Sequence, residues 1–223
     1  MWATILTADN LWFLVIGALV SLALAIGALI IGVILGTFGA IGRISKNPVA
    51  KGLSYIYIQI IRGTPMLLQL LFLFLGLPAI YKALTGNSFA PDPFVVGLIA
   101  MGINSGAYTT ELIRSGIIAV GNDQLEAGRS LGLSYSQTMR FIILPQAFRN
   151  IIPPLVSEFI VLIKDSSLVS VLGAAELLRR SRILGTRYFN YVIPLLAASA
   201  LYLVMTLVIS KLAGRLEKRL MNR

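Results

Sequence analysis

The sequence predicts an all-α membrane protein with about five transmembrane helices. Of its 223 residues, 57% are hydrophobic and 13% are charged, and the mean hydropathy is +0.85. This composition is too apolar for an ordinary soluble domain. The stretch from Asn10 to Gly42 has no charged residue. At about 1.5 Å per residue, it is longer than the roughly 30 Å hydrocarbon core of a bilayer.

The first predicted span runs from Leu11 to Ile41. Within it, Gly32 and Gly36 are four residues apart, a spacing that allows close approach of another helix, by ordinary packing or at a dimer contact. A cleavable secretory signal is the alternative for this part of the chain. The positively charged segment that begins such signals is missing, since the only charged residue before position 11 is Asp9.

The second predicted span runs from Thr64 to Ile80, with a possible lead-in from Leu53. Thr64 is expected to be its N-cap and Pro65 its first helical residue, because proline is tolerated in the first turn. Arg62 would then extend its side chain to the cytoplasmic boundary.

Three further apolar stretches complete the count of five. They are Phe94 to Ile113, Pro145 to Leu168 and Tyr191 to Leu212. The chain is therefore expected to form one membrane domain over residues 1–223, without internal repeats.

The distribution of cations predicts an outside N-terminus and a cytoplasmic C-terminus. In that orientation the cytoplasmic segments hold twelve of the 19 Lys and Arg residues, including Arg219 and Arg223 near the C-terminus. Four arginines between Arg179 and Arg187 would lie outside. The stretch Glu176 to Leu184 mixes leucines with these arginines, which predicts a short helix at the outer interface that either anchors lipid headgroups or docks a substrate-binding protein.

The composition also argues against several kinds of chemistry. The chain has no Cys and no His, which removes thiol chemistry and the commonest acid/base group and metal ligand. No phosphate-binding loop ending in Gly-Lys-Ser/Thr is present. The net charge of +10 would suggest nucleic acid in a soluble protein, but here the cations separate apolar spans. Enzymatic activity, a bound cofactor or metal, and nucleic-acid binding are not expected.

A polar loop over residues 122–145 is the expected contact with a soluble partner. Asp123 and Glu126 have the spacing of a capping box, and Gly132 can take the left-handed position after a helix. Ser134 and Gln137 have the spacing of a second capping box. Two short helices are therefore predicted to meet at a bend.

Polar residues within the predicted spans are costly in lipid unless they face protein, water or ligand. Asn104, Tyr108 and Glu111 share one face of the third span, and Glu158 and Asp165 share one face of the fourth. Gln69 on the second span can join them. These six residues are the candidate substrate site, with hydrogen bonding between helices, or pairing with Lys164 and Arg114, as the alternative for each of them.

Four motifs resemble the membrane-spanning permease subunits of ABC-type polar amino-acid importers, of the histidine/glutamine transporter type, over nearly the whole chain. The clearest is Glu126-Ala127-Gly128, three residues, Gly132, nine residues, then Ile142-Ile143-Leu144-Pro145. The others are Arg62-Gly63-Thr64-Pro65, Asn104-Ser105-Gly106-Ala107-Tyr108 and Lys164-Asp165-Ser166-Ser167-Leu168. Gly128 stands where the wider superfamily more often has a second alanine.

The resemblance implies a type I importer architecture in a bacterial plasma membrane. Two permease subunits, identical or related, would enclose the pathway, and two cytoplasmic ATPases that bind ATP and Mg would drive it. An external binding protein would deliver substrate. The ATPases would contact the loop at Glu126, Ala127, Gly128, Arg129 and Gly132. Glu126 is expected to be favourable at the helix N-terminus and Gly132 to make the bend.

The carboxylates favour an amino acid with extra positive charge, and glutamine-like substrates remain open. Carboxylates suit the substrate ammonium group, and amide and hydroxyl groups suit a polar side chain. Two other functions fit the spans: a secondary transporter or channel that works without an ATPase, and a structural membrane scaffold.

Overall fold

The computed structural model describes residues 2–221, and all regular structure in this range is helical. A short helix α1 (Trp2–Ile5) precedes the long helix α2 (Ala8–Ile44), which begins where the Thr7 side chain accepts a hydrogen bond from the Asn10 backbone N–H. Helix α2 contains the whole first predicted span. Arg223, which the orientation argument counted, lies outside the described residues, and the side chain of Arg219 is not described either.

The second predicted span follows a separate lead-in helix. Helix α3 (Pro48–Gly63) is capped by Asn47, and two non-helical residues then separate it from α4 (Met66–Leu71). A π-helical turn over Phe72–Gly76 joins α4 to α5 (Leu77–Thr85). The prediction that Thr64 caps this span was wrong by one residue. Thr64 ends α3, and Pro65 stands at the N-cap of α4 without a side-chain cap.

The third span is α6 (Pro93–Ile118), which starts where the Asp92 carboxylate accepts from the Phe94 and Val95 backbone N–H groups. Two short helices follow, α7 (Asn122–Ser130) and α8 (Tyr135–Thr138). A π-helical turn over Met139–Ile143 carries α8 directly into α9 (Leu144–Asp165), the fourth span.

The last part of the chain folds back onto the N-terminal half of α2. A 3₁₀ segment (Ser166–Leu172) leads to α10 (Leu177–Arg187) and then to the final helix α11 (Val192–Met221). The predicted short helix from Glu176 is thus present, with Glu176 as its N-cap. The Glu176 carboxylate is fully buried and accepts hydrogen bonds from Ser21 Oγ at 3.2 Å and Tyr202 OH at 2.7 Å, which ties α10 to α2 and α11.

Small residues let α2 and α6 pack closely. A Cβ atom built on Gly32 would lie 2.6 Å from Ser105 Oγ, and one on Gly36 would lie 2.6 Å from Thr109 Cβ. The two glycines therefore serve packing within this chain, the ordinary alternative for their spacing. The main core lies beside this contact and includes Leu24 of α2, Met101 of α6 and Ile163 of α9, all fully buried.

By length and composition, three helical stretches among the described residues can cross a membrane: Ala8–Ile44, Met66–Thr85 and Val192–Arg215. Helices α6 and α9, with 26 and 22 residues, are also long enough at about 1.5 Å per residue, but they are more polar. Four of their polar residues, Asn104, Tyr108, Glu158 and Asp165, line the cavity described next.

Candidate functional site

A cavity of about 480 Å³ lies where the break between α3 and α4 faces α6 and α9. This volume falls within the roughly 300–1,000 Å³ typical of small-molecule sites. The lining combines charged, amide, aromatic and apolar groups: Arg62, Gly63, Thr64, Pro65, Met66, Asn104, Tyr108, Glu158, Val161, Leu162 and Asp165.

The break between α3 and α4 forms one wall of the cavity. Thr64 has an extended backbone (φ −118°, ψ 143°), as expected for a residue before proline. Pro65 is also extended and offers no side-chain cap, so the first N–H groups of α4 have no side-chain partner. The positive end of a helix therefore lies in this wall of the cavity.

Arg62, in the last turn of α3, contributes the cation of the cavity. Its guanidinium carbon lies 5.0 Å from the centre of the Tyr108 ring. Arg62 was expected at the cytoplasmic boundary and was not among the predicted site residues. The sequence does contain a signal for this role of Arg62. It lies directly before Gly63-Thr64-Pro65, where proline interrupts the helix and so fixes where α3 ends.

Helix α6 supplies two of its three predicted residues. Asn104 and Tyr108 line the cavity, whereas Glu111 does not. Glu111 Oε2 accepts from Arg114 Nε at 2.9 Å and lies 2.8 Å from Arg114 Nη2, and Glu111 Oε1 lies 3.7 Å from Arg43 Nε. The structure therefore places Glu111 in an ion-pair cluster of the kind that the sequence analysis gave as the alternative.

Helix α9 supplies both of its predicted carboxylates. Glu158 and Asp165 line the cavity, together with Leu162 on the turn between them. Both carboxylates are half-buried, and neither has a cationic partner within 4 Å among the side chains that the structure describes. Lys164 forms no ion pair within 4 Å with its neighbour Asp165. Two carboxylates without an ion-pair partner among the described side chains thus line the cavity, together with Arg62.

Gln69 lies outside the cavity lining and contacts the residues that form it. Its Nε2 donates to the carbonyl oxygens of Ile61 (2.8 Å) and Thr64 (3.1 Å) and to Thr64 Oγ1 (2.8 Å). Its Oε1 accepts from Asn104 Nδ2 at 3.0 Å. Gln69 therefore closes the end of α3 and holds Asn104, and it is absent from the cavity lining.

These groups suit a ligand that carries both charges. A guanidinium binds a carboxylate through two parallel hydrogen bonds, and carboxylates bind an ammonium group through strong charge-assisted ones. With one cation and two carboxylates, the cavity retains one surplus negative charge for a further donor on the ligand.

The second region of interest is the loop that joins α6 to α9. The Gly132 N–H donates to the Arg129 carbonyl at 2.9 Å and the Leu133 N–H to the Gly128 carbonyl at 3.1 Å, which form a Schellman motif. Gly132 has the positive φ of +84° that this motif requires. The Ser134 and Gln137 capping box is present, with both reciprocal hydrogen bonds. The predicted bend is therefore confirmed.

The prediction of a capping box formed by Asp123 and Glu126 was wrong. Gly121 is the N-cap of α7, and no side chain caps this helix. Asp123 lies inside its first turn, and Glu126 lies beyond that turn. Gly121 has a φ of +85°, which glycine adopts readily, and the chain turns into α7 there without a capping side chain. Glu126 therefore does not gain the favourable position at the helix N-terminus that the sequence analysis gave it.

Helix α7 has one buried face and one exposed face. Gly128 is buried, and a Cβ atom built on it would lie 2.5 Å from Thr138 Cγ2 of α8 and 3.1 Å from Ile142 Cδ1. Glu126, Ala127 and Arg129 are exposed. Leu131, at the end of the helix, is 81% exposed. The four together form a mixed polar and apolar surface available to a partner.

Comparison with protein families gives one match that covers most of the chain. The family described as the binding-protein-dependent transport system inner membrane component matches residues 28–222.

Curated relatives are similar over almost their whole length. The putative glutamine transport system permease protein GlnP of Rickettsia typhi is 38% identical over 208 residues, which are 93% of each chain. The arginine transport system permease protein ArtQ of Bacillus subtilis is 35% identical over 96% of this chain and 95% of its own. GlnP of Escherichia coli, a glutamine transport system permease, is 35% identical over 98% of this chain and 97% of its own.

Solved structures agree with the fold. A chain from the crystal structure of an amino acid ABC transporter with histidines matches with a TM-score of 0.87 and 40% identity, over 93% of this chain and 94% of its own. A chain of the inward-facing MetNI methionine ABC transporter matches with a TM-score of 0.74 and 16% identity, over 96% of this chain and 99% of its own, a likeness of fold alone.

Proposed function

We propose, for a chain that belongs to the family of binding-protein-dependent transport system inner membrane components, that it imports polar α-amino acids through the cavity between α3, α4, α6 and α9. As the membrane subunit of an ABC importer, the chain forms the pathway, and partner ATPases hydrolyse ATP. Two permease subunits, two ATPases and an external binding protein make up the proposed complex.

One observation carries the choice of substrate, the charge pattern of the cavity. The Arg62 guanidinium and the uncapped start of α4 suit the carboxylate of an α-amino acid. Glu158 and Asp165 suit its ammonium group, and the surplus carboxylate with Asn104 suits a side chain that donates hydrogen bonds. Arginine, lysine, histidine and glutamine have such side chains. The relatives named as glutamine and arginine permeases support this class.

The coupling proposal uses the exposed face of α7. In it, an ATPase holds the surface formed by Glu126, Ala127, Arg129 and Leu131, and Gly128 transfers the movement to α8 by direct contact with Thr138. Helices α8 and α9 form one unbroken helical run from Tyr135 to Asp165. Thr138, which contacts α7, and the two cavity carboxylates therefore lie on the same helical run.

Transport then follows from two conformations that bind their ligands unequally. ATP favours the state in which the ATPases are closed, and substrate favours the state whose cavity is complete. Closing an empty cavity is costly, because its charged side chains lose hydration in the closed state. A bound amino acid offsets that cost in the state that encloses it.

The test is a flux and binding assay on the complex reconstituted in lipid vesicles with its ATPases. We expect uptake of labelled arginine or glutamine that requires ATP, and ATPase activity that rises with substrate and binding protein. Flux that persists without the ATPases would favour the secondary transporter or channel. Absence of both flux and stimulation would favour the structural scaffold.

A further inference from the structure

The amide of Gln69 can stand in only one orientation. Two of its Nε2 contacts, the carbonyl oxygens of Ile61 and Thr64, have no hydrogen to donate. The third, Thr64 Oγ1, already donates its own hydrogen to the Ile60 carbonyl at 2.8 Å. An amide turned by 180° would set an oxygen against these acceptors, so the NH₂ end must face them.

The orientation of Gln69 determines that of Asn104. With its NH₂ group held by α3, Gln69 presents Oε1 to α6, where Asn104 Nδ2 donates to it at 3.0 Å. The other end of the Asn104 amide, Oδ1, is then an acceptor. No group that the structure describes donates to this oxygen, and Asn104 is part of the cavity lining.

From this geometry we infer that Gln69 is a positioning residue that makes Asn104 an acceptor toward the cavity, and so selects substrates whose facing group donates a hydrogen bond. The inference rests on the proposed amino-acid function and narrows it. Ammonium, guanidinium and carboxamide NH₂ groups satisfy Asn104 Oδ1. Ester, thioether and carboxylate groups set a second acceptor against it.

The size of the effect follows from the cost of an acceptor that a bound ligand covers without donating to it. That cost corresponds to about tenfold in affinity. Without Gln69 the Asn104 amide can turn and offer Nδ2 instead, so the discrimination disappears. The same change also removes the hydrogen bonds that close α3, and this second effect must be separated from the first.

The experiment compares two ligands with uncharged side chains, L-glutamine and L-glutamate γ-methyl ester, which differ by NH₂ against OCH₃. The complex with its ATPases is placed in nanodiscs without the binding protein. Affinities come from displacement of labelled arginine or glutamine, whichever the wild-type complex binds. The wild type is expected to prefer glutamine about tenfold. Gln69→Met, similar in shape, is expected to bring the two affinities within about twofold.

A double-mutant cycle separates positioning from mere structural support. Asn104→Ala retains the Gln69 contacts with α3, and it is expected to remove the glutamine preference, bringing the two affinities within about twofold. Adding Gln69→Met to Asn104→Ala is expected to leave the ratio of the two affinities unchanged. A structural role would instead weaken both ligands alike in either background.

Two results overturn the inference, and they differ from failure of the proposed function. A glutamine preference that survives in Gln69→Met removes the positioning role. Equal weakening of both ligands in Asn104→Ala removes the acceptor role, and this variant decides the question even if Gln69→Met fails to fold. A wild-type complex that binds neither labelled amino acid refutes the proposed substrate class itself, and the inference with it.

Discussion

Glu158 and Glu111 show how the surroundings of a carboxylate decide its role. Both were predicted as substrate ligands from their positions on apolar spans. Glu158 faces the cavity without a cationic partner among the described side chains, whereas Glu111 is held by Arg114 and approached by Arg43. A carboxylate that already has its counter-ions has little to offer a ligand.

The first prediction compares these two glutamates. Glu158→Gln retains the shape and removes the charge, so we expect arginine to bind about 10- to 100-fold more weakly, the loss of one charge-assisted hydrogen bond. Glu111→Gln is the matched control and is expected to change affinity by less than about twofold. Isothermal titration of the nanodisc complex measures both. Equal losses would return Glu111 to the substrate site.

Arg62 supplies the second prediction at the residue scale. Arg62→Lys retains the charge but loses the planar fork and its contact with Tyr108, so we expect about tenfold weaker substrate binding. Lys51→Arg on the same helix but outside this cavity is the control, with no expected change. Binding to the purified complex tests both. Unchanged affinity in Arg62→Lys would show that Arg62 acts only as a positive charge.

At the scale of elements, the contact between α2 and α6 depends on glycine. Gly36→Ala would place a Cβ atom 2.6 Å from Thr109 Cβ and 3.0 Å from its backbone carbon, which a side-chain rotation cannot relieve. We expect a destabilisation of about 1–3 kcal/mol, seen as a lower melting temperature in detergent. Gly52→Ala on α3, where nothing lies within 4 Å, is the control and should be neutral or slightly stabilising. An unchanged melting temperature for Gly36→Ala would show that α2 and α6 separate without cost.

The contact between α7 and α8 gives a prediction about coupling. Gly128→Ala would bring a Cβ atom 2.5 Å from Thr138 Cγ2, and Thr138 is fully buried, so α7 must move away. We expect transport per ATP hydrolysed to fall by about fivefold, with the chain still folded. The double variant Gly128→Ala, Thr138→Ser removes the clashing methyl group and should restore much of the coupling. Absence of rescue would place the defect elsewhere on α7.

At the scale of the whole molecule, the sequence predicted more of the fold than of the site. Long apolar runs, the Ser134 capping box and the positive φ of Gly132 are local properties, and each was predicted correctly. Gly121 was missed as the N-cap of α7 because it has no side chain that a capping pattern would include. The role of Gln69 was missed because it depends on the interruption between α3 and α4 and on a contact with α6. Residue spacing along one helix reveals neither of them.

The orientation of the chain in the membrane is also a property of the whole molecule, and it stays a prediction from the distribution of cations. Because the sequence has no cysteine, a single introduced thiol can be labelled without background. Leu131, at the end of α7, is 81% exposed, and Phe189, between α10 and α11, is 95% exposed. With α11 as the last span, the positive-inside rule places these two residues on opposite faces of the membrane.

We therefore expect a membrane-impermeant maleimide added to intact cells or spheroplasts to label Phe189→Cys and to leave Leu131→Cys unlabelled until the membrane is permeabilised. Both side chains are exposed on this chain, so neither substitution removes core packing within it. The variants are expressed without the ATPases, so that no partner covers position 131. Labelling of Leu131→Cys from outside would place α7 away from cytoplasmic ATPases. No ATPase could then reach α7, and the proposed coupling from α7 through Thr138 to Glu158 would be wrong.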